Sequence, residues 1–517
     1  MPTVTIPPEA HPMRLSDWLS QAGHSVPAPC GGRGICGKCR VQVVSGVFPS
    51  ATEANAIVAP DADGCVLACQ VLCPPDGAVV RIDEDKGSGL VAFAGDGAAS
   101  GVTTSVPSAT GVALDIGTTT LAAALVRLSD GGILATASAL NPQYAWGADV
   151  INRIGACSKG HLADLQKAVV EATRGLLADL AAKAPDAPPP LRLAVAGNPT
   201  MLHLFAGISP EGIGRYPFTP AFLERRELSG AQLGLPIEDV VLLPSASSFI
   251  GSDVVGGILT CRMADLDEPS VLMDIGTNGE MVLCTGKRRG AALMGVSAAA
   301  GPALEGANIS CGMGGVSGAV CRVRSASGEL RFQTIGDATP LGLCGCGLVD
   351  FIAHLLRSGT LDETGSLDDE PCVLSGVHET NGGALARAET PVALTQQDIR
   401  EFQLAKSAMR AGLEALLAHE GVEMADVKHL FIAGGLGYYL DGASAARTGL
   451  LPEELLPVVE TVGNSSLAGA VRCLAHPDAL REIEDLAARC GTFELNTSSV
   501  FNEAFVEQML FPEDAEE

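Results

Sequence analysis

The chain has 517 residues, 47% of them apolar and 18% charged, with a net charge of −27. That length exceeds one ordinary domain, and the composition is that of a core-forming protein rather than a disordered one. The negative balance argues against nucleic acid and anionic membrane surfaces as partners. No apolar run is long enough for a transmembrane helix, and the N-terminus lacks the basic-then-apolar order of a secretory signal. A cytoplasmic location is therefore expected, where clustered thiols among the 16 cysteines read as metal sites rather than disulfides.

Residues 1–85 read as a first unit of short β-like runs, "TVTIP", "RVQVVSG" and "AVVRID". Inside it, "CGGRGICGKC" places Cys30, Cys36 and Cys39 at the spacing C-x5-C-x2-C. Plant-type [2Fe–2S] sites use a similar C-x4-C-x2-C and a distant fourth cysteine. The glycines suit a loop wrapped closely around a cluster, because they tolerate positive φ and close backbone approach. The fourth ligand must come from "GCVLACQVLC", where Cys65, Cys69 and Cys73 are all available. Cys69 is preferred, since "LACQ" is where ferredoxin-like sequences place the last ligand. A four-cysteine zinc site is the competing reading, but zinc favours two close C-x2-C pairs and only one is present.

Residues 86–110, rich in Gly, Ser, Ala and Thr, read as a flexible linker. From residue 111 strands and helices alternate, as in an α/β domain. "GVALDIG", "TLAAALVRL" and "GILATASAL" read as strands. A helix is expected over "HLADLQKAVVEATRGLLADLAAK", stopped by "APDAPPP", and then the strand "LRLAVAG". A second set opens with "SVLMDIG" and "MVLCTG", followed by a helix over "QQDIREFQLAKSAMRAGLEALLAHEG" and the strand "HLFIAGG".

Both sets open on Asp-Ile-Gly-Thr. Asp115, Gly117, Thr118 and Thr119 in the first, and Asp274, Gly276, Thr277, Asn278 and Gly279 in the second, form acidic hairpin turns. Such turns offer backbone N–H groups and hydroxyls to phosphate oxygens, and the aspartates can hold Mg²⁺ through water. Gly434 and Gly435, after a buried strand, would let the backbone approach an adenosine. ATP and Mg²⁺ are therefore expected between two facing half-domains. Asn198, in "AGNPT", reads as a turn former or a cleft residue. His203 reads as a helix residue at the cleft wall rather than a ligand. Cys344 and Cys346, in "CGCG", read as small residues in a tight loop.

The order of these loops resembles the actin, sugar-kinase and chaperone ATPase superfamily (ASKHA). That resemblance implies a two-lobed ribonuclease H-like domain, with lobe one at about 111–265 and lobe two at about 266–517. It makes "FIGSDVVGGIL" and "NSSLAGAVRCLA" the two connecting helices. Asp253 on the first would position water or a hydroxyl; an ordinary acid in a helix's first turn is the alternative.

A [2Fe–2S] unit of β-grasp ferredoxin type ahead of such an ATPase is a narrower pattern. With "NPQYAWGADVINRI", "AVAGNPTMLHLF", "GPALEGANISCGM", "CGCGLVD", "LTQQDIREFQLAKSAMRAG" and "GNSSLAGA", nearly the whole chain resembles the reductive activators of corrinoid-dependent enzymes. Two mild departures are "GPALEGA" and "CGCGL" where members commonly carry "GPAFEGA" and "CGSGL". The resemblance implies one-electron transfer from the cluster to an inactive Co(II) corrinoid protein, restoring Co(I) for methyl transfer. The transfer is uphill, and ATP is the expected drive. It also implies an external reductant, and it leaves a homodimer open. Longer members carry a middle domain between the two units; its absence is expected here, because only about 25 linker residues separate them. A redox-regulated small-molecule kinase, or an ATP-driven electron donor to another metalloenzyme, are the alternative readings.

Overall fold

The computed structural model describes residues 3–22, 39–52, 56–61, 63–82, 109–326, 329–368, 370–380, 385–436 and 440–513. Cys30, Cys36 and nearly all of the expected linker lie outside the described residues.

The first unit is a four-stranded antiparallel sheet in the order Thr3–Ile6, Ala78–Arg81, Arg40–Ser45, Cys65–Leu67. Alternation in "TVTI" buries Val4 and Ile6 and exposes the threonines between them, the period of a half-buried strand. The helix Leu15–Gln21 lies over the sheet, with Leu15 and Leu19 fully buried beside Phe48, Val41 and Val80.

The rest of the chain builds two sheets on one plan. In the first, Thr110–Ile116 turns tightly into Thr120–Arg127 and then Ile133–Leu140, all antiparallel. Pro190–Gly197 joins the opposite edge in parallel, followed by Asp239–Leu242. In the second, Ser270–Ile275, Gly279–Cys284 and Leu293–Ala298 repeat the antiparallel trio, and His429–Ala433 and Val459–Gly463 repeat the parallel pair. The strand that opens each set is central and buried on both faces. It therefore reads as a continuous apolar run rather than an alternating one.

The helix expected over residues 161–183 runs Leu162–Lys183, and the later one runs Gln396–Glu420, begun by a Thr395–Asp398 capping box. The two connecting helices, Ser252–Thr260 and Ser465–Ala475, pack on each other between the sheets. They share one core with both lobes: Ala113, Ala194 and Ala196 from lobe one, Leu272 and Val282 from lobe two, and Val254, Ile258, Leu467 and Ala470 from the helices.

One element of lobe two was not expected. Between residues 319 and 394 the chain adds a five-stranded sheet, ordered Gly342–Leu343, Ala319–Ala326, Glu329–Thr334, Cys372–Glu379, Leu385–Leu394, with the helix Gly345–Ser358 packed on it. Among the described residues no helix is long and apolar enough to cross a membrane.

Candidate functional site

Two sites emerge, one in each part of the chain. In the first unit, Cys39 immediately precedes the strand Arg40–Ser45, and Cys69 sits in the single 3-10 turn Ala68–Gln70. The Ala68 N–H donates to the Cys39 carbonyl at 2.8 Å, and the two buried sulfurs lie 3.3 Å apart. Thiols that converge so closely from segments 30 residues apart suit ligands of one metal atom. Gln70 Nε2 points at the Cys69 sulfur from 3.5 Å. Cys73 is fully buried, with its N–H donating to Met13 O. Cys65 is held on the far strand beside Asp61. Of the three available cysteines, Cys69 is the one whose sulfur meets that of Cys39. Both described thiols therefore fit an iron–sulfur cluster, which would supply one-electron chemistry when bound.

The second site is a cleft of about 310 Å³ between the lobes. Asp115, Gly117, Thr118, Thr119, Asp253, Asp274, Gly276, Thr277, Asn278, Gly434 and Gly435 all line it. Gly279 does not. It begins the strand behind the turn, where a β-carbon would collide with Met409 Sδ at 1.9 Å, so packing rather than nucleotide contact requires this glycine. Gly434 stands at φ +87°, and a β-carbon there would meet Asp274 Oδ1 at 2.7 Å. The backbone of the second loop can come this close to the segment after the strand His429–Ala433 only because residue 434 is glycine.

The turns are held from behind. The buried Arg153 guanidinium donates to Thr118 O at 2.5 Å and to Gly147 O at 2.9 Å. Burial pushes its pKa down to about 9. Asn141 Nδ2 donates to Gly117 O at 2.8 Å. Asn198 caps the helix Pro199–Ala206 and also donates to Thr118 Oγ1 at 3.1 Å, so it serves both the turn and the cleft. His203 lies in that helix, as expected, but is fully buried and does not line the cleft. Its Nδ1 donates to Pro199 O at 2.6 Å, its Nε2 accepts the Ala221 N–H at 3.1 Å, and the ring stacks on Phe222.

Among the described residues, five carboxylates line the cleft, Asp115, Asp253, Asp274, Glu280 and Glu305, and no lysine or arginine does. Asp115 accepts from Asn464 Nδ2 at 2.9 Å and from Ser466 Oγ at 2.7 Å, which ties the first loop to the start of the second connecting helix. Asp253 lies in the first turn of the other connecting helix and also faces the cleft. Burial, with a smaller push from Asp115, raises its pKa to about 7. Burial and the neighbouring carboxylates raise Asp274 to about 8 and hold Glu280 well above the usual range. A wall of crowded acids with no cationic side chain suits a divalent cation carrying phosphate, since the cation neutralises both.

Glu305 was missed by sequence reasoning. Its Oε2 accepts from Thr119 Oγ1 of lobe one at 3.0 Å and from Thr277 Oγ1 of lobe two. The stretch "GPALEGA" carries this acid, but nothing in it says that the acid reaches both loops. Cys344 and Cys346 are buried, but they do not sit in a loop: Cys344 stands at the N-cap of the helix Gly345–Ser358 and Cys346 lies in its first turn, both lining the cleft and donating to Val320 O at 3.3 Å and Leu436 O at 3.1 Å.

This geometry can be set against known proteins. Residues 3–73 match the 2Fe-2S iron-sulfur cluster binding domain, residues 110–266 the RACo middle region, and residues 268–517 the C-terminal domain of RACo, the ASKHA domain. The chain is 32% identical over 421 residues to the corrinoid activation enzyme RamQ of Eubacterium limosum, covering 78% of this chain and 70% of that protein. It belongs to the family of reductive activators of corrinoid-dependent enzymes. A second relative of the activator is the reductase of the Co(II) methylated amine-specific corrinoid protein of Methanosarcina barkeri, 26% identical over 354 residues, 61% of this chain and 62% of that protein. Among solved structures, a reductive activator for corrinoid, iron-sulfur protein superposes with a TM-score of 0.70 at 28% identity, covering 99% of this chain and 97% of that one.

The expected absence of a middle domain is overturned. The middle region of these activators is matched by residues 110–266, which form the first sheet and its helices. What the sequence suggested was a missing module is the first lobe of the cleft.

Proposed function

We propose that this activator restores a corrinoid protein to its methyl-accepting state by passing it one electron, with ATP bound between the lobes making the uphill transfer favourable. The observation that carries the reading is the coexistence in one chain of two converging thiols, Cys39 and Cys69, and a cleft whose facing loops present Thr118, Thr119 and Thr277.

The cluster would be held by Cys30, Cys36, Cys39 and Cys69. Gln70 beside the Cys69 sulfur tunes the site by hydrogen bonding. In the cleft, Asp115, Asp253 and Asp274 would hold hydrated Mg²⁺, and the hydroxyls and N–H groups of the two turns would hold the phosphates. Gly434 and Gly435 would face the adenosine. The lobes contribute opposite walls, so a nucleotide bound there favours one interlobe arrangement. ATP can then drive electron delivery only by binding one arrangement more tightly than the other.

The test is anaerobic spectroscopy. The reduced protein, MgATP and a Co(II) corrinoid protein are mixed, and Co(I) is followed by absorbance. The reading requires Co(I) to form with ATP and far more slowly without it. Equal rates without nucleotide would remove the ATP coupling. Stoichiometric phosphorylation of a metabolite would replace the reading with that of a kinase.

A further inference from the structure

Glu305 occupies an unusual place for a carboxylate. Thr119 and Thr277 belong to the two matching turns, one on each lobe, and their hydroxyls converge on a single oxygen, Glu305 Oε2. In the proposed nucleotide site these hydroxyls, together with the backbone N–H groups of the turns, would receive phosphate oxygens. Among the described residues, the cleft wall carries no lysine or arginine that could hold an anion independently of them. An anion is nevertheless held at this point, and it is supplied by the chain itself.

The segment carrying Glu305 is built to present it. Pro302–Glu305 is one 3-10 turn, bounded by Gly301 at φ +76° and Gly306 at φ +80°. A β-carbon on Gly306 would lie 2.3 Å from Met313 O, so the base of the turn is pressed against the segment whose Gly314, Gly315 and Val316 line the same cleft. The acid thus extends from a seated base in lobe two across to lobe one.

We infer that Glu305 is a resident stand-in for the terminal phosphoryl group of a nucleoside triphosphate. Its carboxylate occupies the subsite formed by Thr119 and Thr277 and latches the lobes together. A triphosphate must displace it, because two anions cannot share the same hydroxyls and like charges at that distance repel. A diphosphate, one phosphoryl shorter, leaves it in place. Glu305 is then the group through which the lobes distinguish ATP from ADP. This inference rests on the nucleotide reading of the cleft.

The test is calorimetric titration of the full-length protein with MgADP and with a non-hydrolysable MgATP analogue, in the wild type, Glu305→Gln and Glu305→Ala. Removing the resident anion should tighten the ATP analogue about tenfold in Glu305→Ala and less in Glu305→Gln, which keeps an acceptor. ADP affinity should change by less than about twofold. Amide exchange in residues 115–120 should rise in nucleotide-free Glu305→Ala and fall again with the ATP analogue. An unchanged ATP-to-ADP affinity ratio in both variants would overturn the inference while leaving the nucleotide site intact. Selective weakening of the ATP analogue would also overturn it, showing that Glu305 grips the nucleotide or its cation. If the wild type binds neither nucleotide, the reading of the cleft fails and the inference falls with it. Thermal melts of each variant separate these outcomes from a folding defect.

Discussion

Gly469 meets Gly256 backbone to backbone where the two connecting helices cross. A β-carbon on Gly469 would stand 2.6 Å from the Gly256 α-carbon, whereas one on Gly256 would find its nearest neighbour, Ser466 O, at 3.4 Å. The crossing is therefore asymmetric, and two superficially equal substitutions should differ. Gly469→Ala must push the helices apart, and overpacking of this kind costs roughly 1–3 kcal/mol. Gly256→Ala meets only ordinary contacts and gains helix propensity, up to about 1 kcal/mol. Thermal melting should show a lowered Tm for the first and an unchanged or raised Tm for the second. Equal losses would mean that the helices do not cross at these glycines.

The bond from Ser466 Oγ to Asp115 Oδ1 makes a second prediction. Asp115 is the acid of the first loop, and its charged form is disfavoured by burial but supported by Ser466 and Asn464. Ser466→Ala removes a donor from a carboxylate at the cleft wall, at a cost of about 1–3 kcal/mol. Because that donor also fixes the orientation of Asp115, MgATP should bind about tenfold more weakly, equivalent to about 1.4 kcal/mol. Calorimetric titration measures this directly. Binding equal to wild type would show that Asp115 needs no support from the helix.

Much of this was legible before any fold was seen. Asp115 and Asp274 announced themselves because a buried apolar strand ending in Asp-Ile-Gly-Thr occurs twice, and both turns are local features whose residues sit next to each other in sequence. The helices at Leu162–Lys183 and Gln396–Glu420 were legible as long helical runs, whereas the Thr395–Asp398 capping box that starts the second appears only in the structure. Glu305 was not, because its meaning lies in partners 186 and 28 residues away. Ser466 was hidden for the same reason, 351 residues from Asp115. The five-stranded sheet was overlooked because its strands are partly exposed and interrupted, so no single run stands out. Gly279 was assigned to the nucleotide because it continued a motif, whereas its requirement comes from Met409 packed above it.

Cluster ligation separates the cysteines of the first unit. Cys39→Ser and Cys69→Ser should each abolish the visible absorbance and leave little of the ~2 iron atoms per chain expected for a [2Fe–2S] centre after anaerobic reconstitution. Cys65→Ser and Cys73→Ser should keep both, since Cys65 hydrogen-bonds beside Asp61 and Cys73 lies in the core with its N–H on Met13 O. Retention of iron in Cys69→Ser alongside its loss in Cys73→Ser would move the fourth ligand.

The last prediction concerns Lys406, buried in the long helix of lobe two. Its ammonium donates to Leu510 O and lies 4.9 Å from the centre of the Phe511 ring, which fastens the C-terminal segment to the helix. Burial, aided by Arg410, pushes its pKa down to about 7 from 10.5. Between those two values the unfolded chain holds a proton that the folded one has released. Stability therefore rises with pH across this window, by up to about 1.4 kcal/mol per pH unit, and the gain is lost as pH falls through 7. Lys406→Met keeps a flexible unbranched chain without the charge. Its Tm should exceed that of wild type most at pH 6, and the difference should shrink or reverse by pH 10, where the wild type retains the bond to Leu510. Other groups titrate in both proteins, so the difference between the two profiles isolates this lysine. Parallel profiles from pH 6 to 10 would show that Lys406 stays charged in the folded state.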